Sequence, residues 1–215
     1  MARITVLGGT GYTGGNIARE AAARGHDVTS FSRNEPAEPV PGVRYETGSM
    51  LDETDRERAV AGADVVVAAL APRGELEDEL SSVYAGLGEL AAAFGARYGV
   101  VGGYSFLRPE KGAPRIAFTE EIPPQYAKEA RVMATIADEL VDDAPEELDW
   151  FFVSPAAVYG SYAPGEARGT YRIGGDVPLA DENGPSAISG ADFAAAIVDE
   201  IEKPTHRRAQ FSVAY

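Results

Sequence analysis

Apolar positions in this chain fall into short, nearly unbroken runs, separated by longer stretches in which they recur every three or four residues. The runs are Arg3 to Leu7, His26 to Phe31, Val43 to Glu46, Asp64 to Leu70, Tyr98 to Val101 and Asp149 to Val153. Rich in β-branched and aromatic residues, they have the pattern of strands buried on both faces. Between them the spacing predicts helices over about 13–24, 53–61, 76–97 and 125–143. In the first of these Ile17, Ala18, Ala21 and Ala22 share one side, and Arg24-Gly25 closes it with a cation and a C-terminal glycine. Alternating strands and helices of this kind predict an α/β fold: a Rossmann-like doubly wound parallel sheet with helices on both faces and strand order 3-2-1-4-5-6.

The last third breaks the alternation. Gly169 to Ile173 and Asp176 to Leu179 read as short strands joined by Gly174-Gly175, and Gln210 to Val213 can add an edge strand. A helix over about 190–202 places Phe193, Ile197, Val198 and Ile201 on one face, with Ser189 and Asp192 as its N-terminal cap pair. The 154–188 segment holds six glycines and four prolines. It reads as a loop-rich substrate lid within a single domain spanning 1–215.

Five glycines, at 8, 9, 11, 14 and 15, lie within eight residues between the first strand and the first helix. Glycine loses more conformational entropy on ordering than any other residue, so the cluster needs a cause. Gly8-Gly9-Thr10-Gly11-Tyr12-Thr13-Gly14 spells G-x-x-G-x-x-G at a strand-to-helix turn inside a βαβ unit. Side chains at 8 or 11 would obstruct a pyrophosphate, the N–H groups at the helix start attract anions, and Gly14 or Gly15 lets helix and strand pack closely. At the end of the second strand the chain reads Phe31-Ser32-Arg33-Asn34, with no acid to hold a ribose 2′-OH. Arg33, helped by Ser32, points to the 2′-phosphate of NADP(H) over NAD(H); the competing reading is a solvated loop arginine, with Glu35 close by.

Charge and composition narrow the chemistry. A net charge of −15 and no basic run longer than Arg207-Arg208 argue against nucleic acid and anionic membrane surfaces as partners. The acid pairs Asp138-Glu139 and Asp142-Asp143 are expected on solvated helix faces. No cysteines and two distant histidines, His26 and His206, leave no basis for a metal site or thiolate catalysis. No run of 18 apolar residues and no signal-peptide pattern after Met1 are present, so a cytoplasmic protein, monomer or homodimer, is expected.

The chain resembles the atypical short-chain dehydrogenases/reductases, the compact NAD(P)H-binding group that includes NmrA-like proteins and biliverdin-IXβ and flavin reductases. GGTGYTG at 8–14, VVVAALAP at 65–72, VVGG at 100–103, DWFFVSPAA at 149–157, GTYRIGGD at 169–176 and the ending from Ile188 carry the likeness. The resemblance implies that Gly8, Thr10, Gly11, Tyr12, Thr13 and Gly14 meet the pyrophosphate and Arg33 the adenosine phosphate. It implies further that Ala69, Leu70 and Ala71 flank the cofactor, that Gly102 and Gly103 lie near the nicotinamide, and that Ser154, Pro155 and Ala156 close over it. Where family members often carry Gly-Asp, this chain has Gly48-Ser49, leaving the adenine contact to Ser49 or a backbone N–H.

Short-chain dehydrogenases at large use Tyr-x-x-x-Lys on one helix face, the lysine lowering the tyrosine pKa. None of the ten tyrosines here has Lys four residues later: Tyr126 is followed by Ala130, with Lys128 at the wrong spacing. No catalytic residue is assigned. Tyr104, Ser105 and Tyr126 are candidates to line a substrate site, with Ser105 or water as proton source, and Glu120-Glu121 is a solvated pair. The expected function is an NAD(P)H-dependent reductase of a small conjugated substrate such as a flavin or quinone. The alternative is an NADP(H)-binding redox sensor without catalysis, and nucleotide-sugar epimerase chemistry is weaker for want of the dyad and of a large substrate domain.

Overall fold

Strand β1 (Arg3–Leu7) is buried from Ile4 through Leu7, as a run without polar alternation requires, and it pairs in parallel with β2 (Asp27–Ser32) on one side and β4 (Val65–Ala68) on the other. The computed structural model describes residues 1–119, 122–180 and 186–215. With β3 (Val43–Thr47), β5 (Arg97–Val101), β6 (Trp150–Pro155), β7 (Arg172–Gly174) and β8 (Ala209–Ala214) they form one eight-stranded sheet in the order β3-β2-β1-β4-β5-β6-β8-β7. The expected 3-2-1-4-5-6 order therefore holds and is extended by two strands. All pairings are parallel except β7 with β8.

Helices cover both faces. Below α1 (Tyr12–Ala23) and α5 (Gly190–Glu202) lie Ile4, Val6, Ile17, Phe151, Phe193 and Phe211, and below α2 (Glu53–Val60), α3 (Leu80–Phe94) and α4 (Pro124–Asp142) lie Leu7, Phe31, Tyr84, Tyr98, Phe106 and Phe152. Phe151 and Phe152 thus serve opposite layers, the two-residue period of a strand used on both sides. The cap at the start of α5 forms as read: the Ser189 hydroxyl accepts the Asp192 N–H at 3.1 Å and donates to its carboxylate at 3.0 Å.

Four expectations need correction. The helix read over 76–97 is shorter: Gly74–Leu76 is a separate 3-10 turn, α3 begins at Leu80, and Gly95 in the left-handed region (φ 69°) ends it so that Arg97 already belongs to β5. The strand read over 169–173 is displaced to β7, Arg172–Gly174. Asp176 to Leu179 is not a strand; the Asp176 carbonyl accepts the Arg108 N–H at 2.7 Å instead of joining the sheet. Nor is β8 an edge, since β7 lies outside it.

The acid pairs divide. Asp142 and Asp143 are exposed, but Asp138 accepts from Nε of the buried Arg115 at 2.9 Å, whose guanidinium lies 3.7 Å from the centre of the Phe106 ring. Glu120-Glu121 lies outside the described residues. At the amino-terminal edge of the sheet, Arg97 donates to the Glu200 carboxylate at 2.6 Å and to the His206 carbonyl at 2.9 Å, locking β5, α5 and the approach to β8. Desolvation alone would raise the pKa of Glu200. Donation from Arg97, the His206 N–H and ring, and Thr205 outweighs it and brings the group down to about 2.

Candidate functional site

The glycine cluster sits where β1 turns into α1, at the carboxyl end of the parallel strands. Gly8 adopts φ +77°, and a Cβ there would lie 2.6 Å from the Ala69 carbonyl oxygen; one on Gly14 would lie 2.3 Å from the Gly8 oxygen. On Gly9 it would strike the Ser30 hydroxyl at 2.3 Å, and on Gly11 it would crowd the Gly8 oxygen at 3.2 Å. Gly15 faces only an ordinary 3.4 Å contact with Gly9, so Gly14 is the residue that brings helix and strand together. Much of the glycine requirement thus comes from the loop packing on itself and on β4.

That packing leaves a helix end open. The Gly8, Thr10 and Gly11 N–H groups are occupied by Phe31 O at 2.9 Å, Ser32 Oγ at 3.2 Å and Gly8 O at 3.0 Å. The first intrahelical bond of α1 is Gly15 N–H to Gly11 O at 2.8 Å. The N–H groups of Tyr12, Thr13 and Gly14 precede it and point out of the helix end, where an anion is favoured. The side chains of Tyr12 and Thr13 turn the other way. Thr13 shares a 2.8 Å hydrogen bond with the Tyr159 hydroxyl, and the Tyr12 hydroxyl donates to Pro164 O at 3.3 Å. At these two positions the side chains fasten the segment after β6, and the backbone N–H groups are left to the helix end.

Beside the loop is a cavity of about 260 Å³ whose lining includes Gly8, Gly11, Ser32, Arg33, Leu70 and Ala71, with Thr10 and Ala69 also on its wall. These residues come from the ends of β1, β2 and β4, which the sheet order places side by side. Tyr84, buried in α3, shapes this wall: its hydroxyl accepts the Leu70 N–H at 3.2 Å and faces the Leu70 carbonyl at 3.2 Å. Burial raises its pKa above the ordinary phenol value. Nothing in the spacing singled out Tyr84, because its role depends on the crossing of α3 over β4.

Two further charged groups on this wall, Glu75 and Arg73, escaped the sequence. Glu75 lies 3.6 Å from Arg33 Nη1, and the Ser49 hydroxyl donates to the same carboxylate at 3.4 Å. Arg73 also lines the cavity, held by Glu129 of α4 through two 3.0 Å bonds. The Ser49 N–H, an expected stand-in for the adenine contact, is already given to Asp55 at 2.8 Å.

The other end of the cleft is assembled from distant segments. Gly102 follows β5 and donates to Val153 O at 2.8 Å; a Cβ on it would lie 2.0 Å from Phe152 Cε1, so its smallness serves the core. Gly103 has more room, with Ser105 Oγ the nearest atom at 3.8 Å. Tyr104 and Ser105 begin a half-buried 3-10 turn (Tyr104–Phe106). Pro155 closes β6 in register with Val213 and is buried with Ala156, while Ser154 and Ser212, opposite one another, keep buried hydroxyls without a hydrogen-bond partner among the described residues. Tyr126, in the first turn of α4, is 56% exposed. Lys128 is drawn away to Glu77 at 2.7 Å and Asp78 at 2.8 Å, and Ala130 faces the core. The structure therefore brings Tyr104, Ser105 and the Ser154 end of β6 to one edge of the sheet, and places no lysine in service to Tyr126.

A cavity of about 370 Å³ between α3 and α4, rimmed by Glu89, Glu139 and Asp143, shares no residue with the glycine loop. Among the described residues no group of three or more His, Cys, Asp or Glu could hold a metal, and no helix is long and apolar enough to cross a membrane.

A parallel sheet with a glycine turn at the start of its first helix defines the class: a Rossmann-fold, dinucleotide-binding protein. A family model described as NAD(P)H-binding matches residues 8–204, and the chain belongs to that family. The uncharacterised protein YwnB of Bacillus subtilis (strain 168) is 30% identical over 213 residues, which cover 98% of this chain and 97% of YwnB. A structure from Burkholderia pseudomallei, put forward as an exported protein, is 36% identical with a TM-score of 0.86 and covers 100% of both chains. One from Streptococcus pneumoniae TIGR4, put forward as an NADH-flavin reductase, is 28% identical with a TM-score of 0.86, covering 100% of this chain and 99% of its own.

Proposed function

We propose that this chain is an NADPH-preferring reductase acting on a small, flat, conjugated substrate such as a flavin or quinone. The observation that carries the reading is the pairing of an Arg33-bounded cavity beside the glycine loop with a substrate end that lacks the tyrosine–lysine acid. The open N–H groups of Tyr12, Thr13 and Gly14 hold the pyrophosphate, Arg33 meets the 2′-phosphate, and the 69–71 loop, fastened by Tyr84, flanks the dinucleotide. The bound nicotinamide supplies hydride; the chain supplies position and exclusion of water. An electron-poor ring needs no tuned tyrosine to accept hydride, and Ser105 or water at the end of β5 delivers the proton. The flavin-reductase assignment of the Streptococcus pneumoniae relative supports the substrate class.

In this reading 1–215 is one domain and the segment after β6 is a lid over the substrate. Residence in the cytoplasm belongs to the same reading; recovery of the chain in an exported fraction would overturn that part.

Titration with NADPH and NADH, for wild type and Arg33→Ala, tests the cofactor assignment: loss of NADPH preference in the variant is expected. Unchanged preference would transfer the phosphate contact to Arg73. Substrate-dependent NADPH oxidation across flavins, quinones and aldehydes tests the activity. Tight binding with no turnover anywhere in that panel would instead favour a redox sensor, a reading the absent dyad also supports. Equal affinity for oxidised and reduced cofactor would count against the sensor.

A further inference from the structure

The two groups expected to greet the adenosine end, Arg33 and Ser49, both face one carboxylate. Glu75 stands on the 3-10 turn Gly74–Leu76, with Arg33 Nη1 at 3.6 Å and the Ser49 hydroxyl at 3.4 Å. The turn is held in place by Leu76, whose side chain is buried against the core beside α3. Glu75 also lines the same cavity as Gly8, Gly11 and Arg33. An acid in such a place is what a ribose hydroxyl requires and what a 2′-phosphate repels. In the general form of this fold that acid comes from the end of the second strand, which here carries Ser32-Arg33; in this chain it enters from across the cavity, on the connection after β4.

We infer that Glu75 sets the balance between NADPH and NADH at this site, accepting the ribose 2′-hydroxyl of NADH and opposing the 2′-phosphate of NADPH, with Arg33 as its counterweight. The inference rests on the reading of Arg33 as the phosphate contact. Arg33 and Glu75 are both partly solvent-exposed, at 59% and 41% of their side chains. Their effect on each ligand is therefore severalfold, not orders of magnitude.

The test is direct binding of NADPH and NADH to wild type, Arg33→Ala, Glu75→Gln and the double variant, each first checked for an unchanged melting temperature. Glu75→Gln is expected to tighten NADPH about threefold to fivefold and to loosen NADH by a similar factor. Glu75→Asp, which keeps the charge, should stay near wild type and guards against a merely steric effect. If Glu75→Gln leaves the NADPH-to-NADH ratio within twofold of wild type while Arg33→Ala lowers it, the inference about Glu75 fails and the Arg33 reading stands. If Arg33→Ala changes nothing but Glu75→Gln still shifts the ratio, the acid is confirmed and the phosphate contact moves to another cation. No shift in either variant overturns both.

Discussion

The two ends of the cleft are built on different principles. The glycine-loop end is local: Gly8 to Gly14, Phe31 to Arg33 and Ala69 to Ala71 are turns after strands that neighbour one another in the sheet. The other end is assembled from the turns after β5 and β6, and the segment after β6 is fastened back to α1 by partners far apart in sequence, Thr13 with Tyr159 and Tyr12 with Pro164, separated by 146 and 152 residues. A local device works through backbone shape, whereas the distant one works only once α5, β7 and β8 have docked. Damage to the two should therefore read out differently, the first in affinity and the second in stability.

The largest effect is expected away from both ends, at the ion pair that docks α5. Glu200→Ala leaves the buried Arg97 guanidinium with Asp149, 3.4 Å from its Nε, as its remaining counter-charge and should cost about 3 kcal/mol in urea unfolding while NADPH affinity of the folded protein stays within twofold. A loss of less than about 1 kcal/mol would mean that the C-terminal strands do not depend on this pair. The same pair predicts an acid limb. Because the folded pKa of Glu200, about 2, lies below its unfolded value, its contribution is whole above the unfolded pKa of about 4.3 and is lost as pH falls from there towards 2. The Glu200→Gln variant, with no carboxyl to titrate, should show a shallower fall over that window.

Gly14→Ala attacks the local device. Its Cβ meets the Gly8 carbonyl at 2.3 Å, so the first turn of α1 must shift, at about 1–3 kcal/mol and with at least a tenfold loss of NADPH affinity by titration. Stability lost with affinity intact would move the anion away from this helix end. Thr13→Ala separates the two ends at a single residue. Losing its bond to Tyr159 should cost about 1 kcal/mol, with affinity unchanged if, as proposed, only the Thr13 backbone meets the phosphate. A drop in affinity matching that of Gly14→Ala would return the hydroxyl to the pyrophosphate. The smallest effect belongs to Lys128→Ala: an exposed lysine bridging Glu77 and Asp78 should leave melting temperature and turnover where they were, and a fall in turnover would restore it to the chemistry.

The same division explains what could be read in advance. Apolar runs located β1, β2, β4, β5 and β6, since a buried strand leaves a mark in its own residues; β3, half-exposed at the sheet edge, was marked more faintly, and the strand order came from the general pattern of alternating strands and helices. The pattern misjudged the stretch around Leu76 and Leu80, both buried at helical spacing, because a 3-10 turn followed by a helix buries the same positions as one longer helix. It also made a strand of Asp176 to Leu179, where the deciding event is a bond to Arg108 far outside any local window. At the site Arg33 was visible as a cation in a known place, but Glu75 was not, because an acid among many acquires meaning only when a turn carries it across the cavity.

What the sequence by itself determined is the class of the protein and the glycine turn at the head of α1, because both follow from backbone limits within about thirty residues: glycine where a Cβ cannot fit, and N–H groups at a helix start that have no intrahelical partner. What only the tertiary structure decided is how side chains are shared out. It gives Tyr12 and Thr13 to the segment after β6, Asp138 to Arg115, Lys128 to Glu77 and Asp78, and Arg33 to Glu75. Charged and hydroxyl groups carry no periodic signal of their partners; the partner is chosen by whichever elements the packing of the apolar core brings within reach.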